Sequence, residues 1–149
     1  MTTPVHQRRL KTLSLSIGTT EFQCQLKSWT LDPGTQEGDR QYTYCDDPLQ
    51  DNSFVEETDD QPTLALTFFS DWRSTGISDY LWSNPNVTAA FVLDHHPDIA
   101  LEHVRWTGKV LLKPPAVGGD VRTTEITEIT LQVLGTVGDG LDFERVSGS

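Results

Sequence analysis

Apolar residues recur at every second position through several short stretches of this chain, and the period changes to three-and-four in one place. Leu64-Ala65-Leu66-Thr67-Phe68-Phe69 sets Leu64, Leu66 and Phe68 on one side of an extended segment and Ala65, Thr67 and Phe69 on the other. This predicts a strand. After Asp71-Trp72-Arg73 and a turn at Ser74-Thr75-Gly76, Ile77, Tyr80 and Leu81 share one face of a helix. Pro85 restricts Asn84 and leaves room for about two turns. So short a helix is marginal alone, which predicts that Trp72, Ile77 and Leu81 dock on the sheet that Leu66 and Phe68 help build, with Trp82 beside them.

The same reading extends along the chain. Residues 1–9 are polar and predict a flexible arm unless a partner orders them. Leu13, Leu15 and Ile17 mark a first strand within Leu10 to Ile17, ending at Gly18. Phe22, Cys24 and Leu26 form one face of a second, and the phase then shifts to Trp29 and Leu31. That shift indicates a bulge near Lys27-Ser28 or burial on two faces. Pro33-Gly34 stops the strand. Gln41 to Cys45 reads as a strand with Tyr42 and Tyr44 on one face. Residues 46–60 carry seven acids and no base, too acidic a run to pack without partners, and predict a solvated or partner-held loop.

Three further strands are expected. Val87 to Leu93 is rich in β-formers, Leu101 to Leu112 alternates through Val104, Trp106, Gly108, Val110 and Leu112, and Glu125 to Leu134 places Thr127, Ile129, Leu131 and Val133 on one face. Gly108 marks a bulge or a close approach of backbone. Residues 135–149 read as a tail. About seven short strands and one short helix, joined by Gly, Pro and Asp turns, predict a mainly β sandwich or barrel over residues 10–134 as a single domain.

Charge changes the picture more than bulk composition does. The 149 residues hold 22 acids and 11 bases, a net of −11. Residues 1–20 contain Arg8, Arg9 and Lys11 with no acid, whereas residues 21–149 hold every acid and eight bases, a net of −14. Such a body repels free nucleic acid. No run reaches the roughly 18 apolar residues of a membrane span, and the basic N-terminus lacks the apolar stretch of a signal peptide, so a cytoplasmic start is expected. Cys24 and Cys45 show no CxxC spacing; the reading is two reduced thiols with Cys24 in the core, and a disulfide between them as the alternative.

Candidate chemistry is sparse. Asp94-His95-His96-Pro97-Asp98, with His103 beyond, has ligand types suited to zinc. Adjacent histidines in a strand point to opposite faces, however, and Pro97-Asp98 reads as a turn, so a solvated turn is expected rather than a metal centre. Gly118-Gly119-Asp120 lacks the strand-to-helix setting and the lysine of a phosphate loop, and no GxSxG occurs. No spacing pairs a nucleophile with a base. The paired carboxylates of residues 46–60 have no apolar surroundings to raise a pKa. No cofactor is expected and no enzyme. Trp29, Trp72, Trp82 and Trp106 could line a sugar-binding face, although Trp72 and Trp106 fit better as core or helix-dock residues.

Several stretches, taken in order, resemble the major tail proteins that form the tube of long non-contractile bacteriophage tails. They are Phe22-Gln23-Cys24-Gln25-Leu26 with Trp29 and Leu31 before Pro33, Leu64 to Phe68 running into Asp71-Trp72, and Gly76 to Asn84. Phe91-Val92-Leu93, Gly108-Lys109-Val110 and Val117-Gly118-Gly119-Asp120-Val121 follow. The resemblance covers roughly residues 21–134. It implies a β-sandwich with one flanking helix, rings of six whose inner strands join into a barrel, and stacking of rings around a tape-measure protein between tail-end proteins. DNA then leaves through the lumen of a virion tail assembled in the host bacterial cytoplasm.

Carried onto this chain, the resemblance makes the arm and loop bridges between rings, with Arg8, Arg9, Lys11, Asp46, Asp47, Glu56, Glu57, Asp59 and Asp60 as contact candidates. Part of Glu21 to Leu31 or of Glu125 to Leu134 would line the inner barrel, with Glu125 and Glu128 as lumenal candidates. Carboxylates there would repel phosphate and let DNA slide without a binding well. Two other readings stand beside it: a tail-completion or neck ring protein, and a carbohydrate-binding β-sandwich module.

Overall fold

The computed structural model describes residues 3–6, 9, 11–44 and 53–146. Its elements are β1 (Leu13–Ile17), β2 (Thr20–Glu21), a 3₁₀ turn (Gln23–Gln25), β3 (Leu26–Asp32), β4 (Arg40–Tyr42), β5 (Ser53–Val55), β6 (Thr63–Phe69), α1 (Ile77–Ser83), β7 (Thr88–His95), β8 (Val104–Leu111), β9 (Ile126–Leu134), β10 (Thr136–Val137) and β11 (Gly140–Arg145). Nine of the strands make one open sheet, along the path β2-β1-β7-β8-β9-β6-β3, with β11 on β8 and β10 on β11. The sheet folds over a single core, in which Leu15, Ile17, Phe91 and Leu93 share one apolar cluster with Leu64, Leu66, Phe68 and Leu131. The fold is thus mainly β and sandwich-like, with one short helix.

β6 is central to one half, paired on one side with β3 and on the other with β9. Its alternation decides its faces: Leu64, Leu66 and Phe68 are buried, and Phe69 lies outside. Helix α1 closes over the core through Ile77, Ser78 and Leu81, all buried. Its start is capped from a distance, since Ile77 N donates to Gln25 Oε1 at 2.8 Å. That bond satisfies one of the N–H groups a helix start leaves open. Trp72 differs from the expected docking residue, being 47% exposed. The turn before the helix is held by Asp71 and Arg73, whose side chains pair at 2.7 Å, and the indole points outward to Glu125 with Nε1 3.4 Å from its carboxylate.

The phase shift after Leu26 is a bulge. Leu26 pairs with Phe68 and Ser28 with Thr67, which leaves Lys27 as the extra residue. The strand expected across Phe22, Cys24 and Leu26 begins only at Leu26. Phe22 N bonds Leu15 O and Gln25 N bonds Phe22 O, so the chain curls through a 3₁₀ turn as it crosses from β2 to β3. Phe22 enters the core while Cys24 is exposed and free, against its expected burial. Cys45 lies outside the described residues.

Two segments expected to lack structure form strands. Within the acidic run, β5 pairs antiparallel with β4 as a separate ribbon, and Tyr42, Tyr44 and Phe54 are exposed upon it. Instead of fading into a tail, Gly140–Arg145 pairs with the first half of β8, while β9 takes the second half from Lys109. Leu141 supplies the reason, since its side chain is buried in the common core.

Candidate assembly surfaces

The end of the sandwich where β7 finishes and β1 begins holds a cluster of aromatic and ionisable groups. Asp94 accepts from Arg105 Nε at 2.6 Å and lies 3.1 Å from His103 Nε2, which completes no hydrogen bond with it. The His95 ring packs edge-on to Trp29 at 5.5 Å and against Trp106 at 6.2 Å, with His96 at 3.9 Å. Burial lowers the His95 pKa, and the neighbouring His96 lowers it further. Here the structure corrects the solvated-turn expectation, because His96 and His103 are buried. The turn doubles back through His96 and Leu101, both at positive φ, and tucks the imidazoles beneath it. His95 and His96 lie tilted at 45° to each other, and no group of three potential ligands exists among the described residues.

Beside this cluster lies a groove of about 670 Å³. It is lined by Lys11, Thr12 and Leu13 at the start of β1, Leu26, Lys27 and Trp29 of β3, and His95 and Asp98 at the end of β7. Thr12 donates to Asp98, and this hydrogen bond is the main reason the Asp98 pKa falls. The sequence reading missed Lys27, Trp29 and His95 as members of one site. The bulge at Lys27 was its only local signal, for nothing in sequence spacing joins β3 to the end of β7.

The named assembly candidates separate into distinct places. Lys11 lines the groove and Arg9 is exposed, while Arg8 lies outside the described residues. Glu56, Glu57 and Asp59 are exposed on the ribbon. Asp60 accepts from Gln36 N, and Glu56 from Gln41 Nε2. Asp46 and Asp47 lie outside the described residues. Glu128 is exposed and Glu125 half-buried against Trp72. Of the helix-dock and core candidates, Leu66, Phe68, Ile77 and Leu81 are buried together, Trp72 stands apart, and Trp106 is half-buried between Trp29 and Phe143. The four tryptophans make no common face: Trp29 and Trp106 pair at 6.3 Å, Trp72 meets Glu125, and Trp82 is exposed on α1.

The outside of β3, β6 and β9 is largely polar, with the paired Phe69 and Ile126 as exposed apolar surface at one end. Thr67 pairs with Ser28 and Glu128, Ala65 with Thr30 and Thr130, and Thr63 with Asp32 and Gln132. These residues sit opposite the buried ones on each strand, and none of them is basic. Among the described residues, no helix is long and apolar enough to cross a membrane.

No protein-family model matches this chain, and no curated protein matches it. Solved structures that share its fold include two from an injection system. One is the sheath/tube terminator of an extracellular contractile injection system, PVC, in the extended state, with a TM-score of 0.58 and 16% identity over 95% of this chain and 99% of that one. The other is the sheath-tube complex of an extracellular contractile injection system, PVC, in the extended state, with a TM-score of 0.55 and 18% identity over 90% and 88%.

Proposed function

We propose that this chain is a structural subunit of a tube in a tail-like machine, forming rings that stack. The observation that carries the reading is the likeness, over 90% or more of this chain, to structures from a sheath and tube assembly. An open sheet supports it physically. β3 and the two-residue β2 end the sheet path, and open edges are where subunits of a ring can join. The polar wall of β3, β6 and β9 suits a lumen, with Glu128 facing the bore and Glu125 at its margin. Carboxylates and small hydroxyl side chains without bases give polyanionic DNA nothing to bind.

In its finer form the reading is a phage tail tube of six-membered rings. It would be assembled in a bacterial cytoplasm around a tape-measure protein, closed by tail-end proteins and carried in the virion. The role is structural and asks for no cofactor or catalysis. A second reading is favoured by a specific observation: the terminator is covered to 99%, against 88% for the sheath-tube complex. A terminator or neck ring would form a single ring and stop. Negative-stain electron microscopy over a concentration series, with light-scattering mass, separates the two. Tubes lengthening with concentration are the expected outcome, single rings would establish the terminator reading, and a protein that stays monomeric throughout would remove both.

A further inference from the structure

The turn between β7 and β8, residues 96–102, holds down chain from both ends of the sequence. From the side before β1, Thr12 donates to Asp98 and His6 pairs with Glu102. From the end of β11, Arg145 Nη1 donates to the Leu101 carbonyl at 2.7 Å. The turn itself is lightly built. Ile99 N bonds His96 O and Glu102 N bonds Ile99 O, both at 3.2 Å, and the backbone passes through His96 and Leu101 at φ of 54° and 70°, a left-handed conformation that costs energy in a residue with a Cβ. His103 follows as a fixed point, with Val146 N on its carbonyl at 3.0 Å and Asp94 3.1 Å from its Nε2.

The imidazoles under this turn differ in what would meet a charge on them. Nδ1 of His95, His96 and His103 is buried without a hydrogen-bond partner in each case. His103 has Asp94 beside it, and His96 lies within electrostatic reach of Asp98, whose pKa it helps to lower. His95 is set among aromatic and basic groups instead: Trp29 at 5.5 Å, Trp106 at 6.2 Å, the His96 ring at 3.9 Å, and Lys11 and Lys27 on the same groove. The carboxylates around it are engaged elsewhere. Asp94 accepts from Arg105, which also lies 3.6 Å from Glu144, while Asp98 accepts from Thr12 and Glu102 is paired with His6.

We infer that the turn is an acid-opened clasp, in which a proton on His95 lifts residues 96–102 about the fixed His103 and releases Thr12 and Arg145 together. Burial, and then His96, make His95 hold a proton less tightly than an ordinary imidazole. Opening wets the ring and restores the ordinary affinity. The closed form is therefore fully favoured above about pH 6.5 and loses ground as pH falls toward the folded value, the opening equilibrium rising by at most about tenfold per pH unit for one proton. Two contacts strengthen in acid. His103 with Asp94 secures the hinge and not the turn, and His6 with Glu102 is screened by solvent, the His6 side chain being 64% exposed. The clasp does not depend on the tube reading.

The test is amide hydrogen exchange by NMR on dilute full-length protein between pH 7.5 and 5, corrected for the intrinsic rate, with the His95 imidazole shifts followed in the same samples. Protection at Ile99 and Glu102 is expected to fall about fivefold or more while amides of β6 and β9 keep theirs, with a midpoint that coincides with the His95 titration. In His95→Phe, which keeps a ring between Trp29 and Trp106, that fall should vanish; His95→Gln serves if the phenylalanine variant does not fold. Protection at Ile99 and Glu102 that is independent of pH, or that falls equally in the variant, overturns the clasp. So does a loss shared equally by β6 and β9, which is global unfolding. The comparison of the two midpoints needs no variant, and midpoints that differ overturn it as well.

Discussion

Gly108 lies where β8 exchanges β11 for β9 as its neighbour, with pairing to β11 ending at Thr107 and pairing to β9 beginning at Lys109. A Cβ at this position would stand 3.0 Å from the Phe91 ring and 3.1 Å from the Gly140 carbonyl. Of the two readings open in sequence, the close backbone approach is the one realised. Gly108→Val is expected to destabilise the fold by about 1–3 kcal/mol, seen as a lower urea midpoint at unchanged slope. His95 makes a second residue-scale prediction. Its folded pKa lies below the ordinary 6.5, so the unfolded chain takes up the proton first as pH falls. Stability from this group is complete above about 6.5 and declines as pH drops from there toward the folded pKa. His96, His103, Asp94, Asp98, Lys11 and Arg105 surround the site, and the comparison is therefore with His95→Phe. Urea midpoints between pH 7.5 and 5 should fall less steeply in that variant than in the wild type.

At the scale of elements, the two strands that sequence leaves unmarked, β5 and β11, are held in different ways. β11 survives on one buried side chain and one neighbour: Leu141 enters the core, and Phe143 lies 5.7 Å from Trp106. Ending the chain after Gly135 removes both and bares the Val104 edge of β8. The expected cost is at least the roughly 2–5 kcal/mol of losing a buried leucine, together with a red shift of tryptophan emission as Trp106 is wetted. An unchanged urea midpoint would show that β11 adds nothing. The β4–β5 ribbon has no such anchor, because Tyr42 and Phe54 face outward, and it depends on backbone pairing with the acids solvated around it. α1 is the opposite case, a helix of seven residues that needs both Gln25 at its start and the core beneath Ile77 and Leu81.

For the whole molecule, sequence was sufficient wherever a residue's role follows from its immediate neighbours. Period-two alternation determined the buried faces of β6 and β9, Pro85 limited α1, and the lost phase at Lys27 announced the bulge. Those signals are local because a strand's two faces and a helix's one face repeat over a few residues. What required the third dimension was every relation between strands distant in the chain. Trp29 beside His95, Lys11 and Lys27 on one groove, and Leu141 in the core beside β8 all depend on how one open sheet folds over its core. Side-chain period carries no information on which edge meets which. The same limit explains the corrections: Trp72 has apolar neighbours in sequence yet is turned outward by the Asp71–Arg73 turn, and the buried histidines lie in a polar run that only the doubling back of the chain covers. Sequence by itself determined the mainly β class and the acidic surface, which composition and alternation dictate. The open sheet and the groove lined by β1 and β3 were decided by tertiary structure alone, because they arise from strand order and not from any stretch of residues.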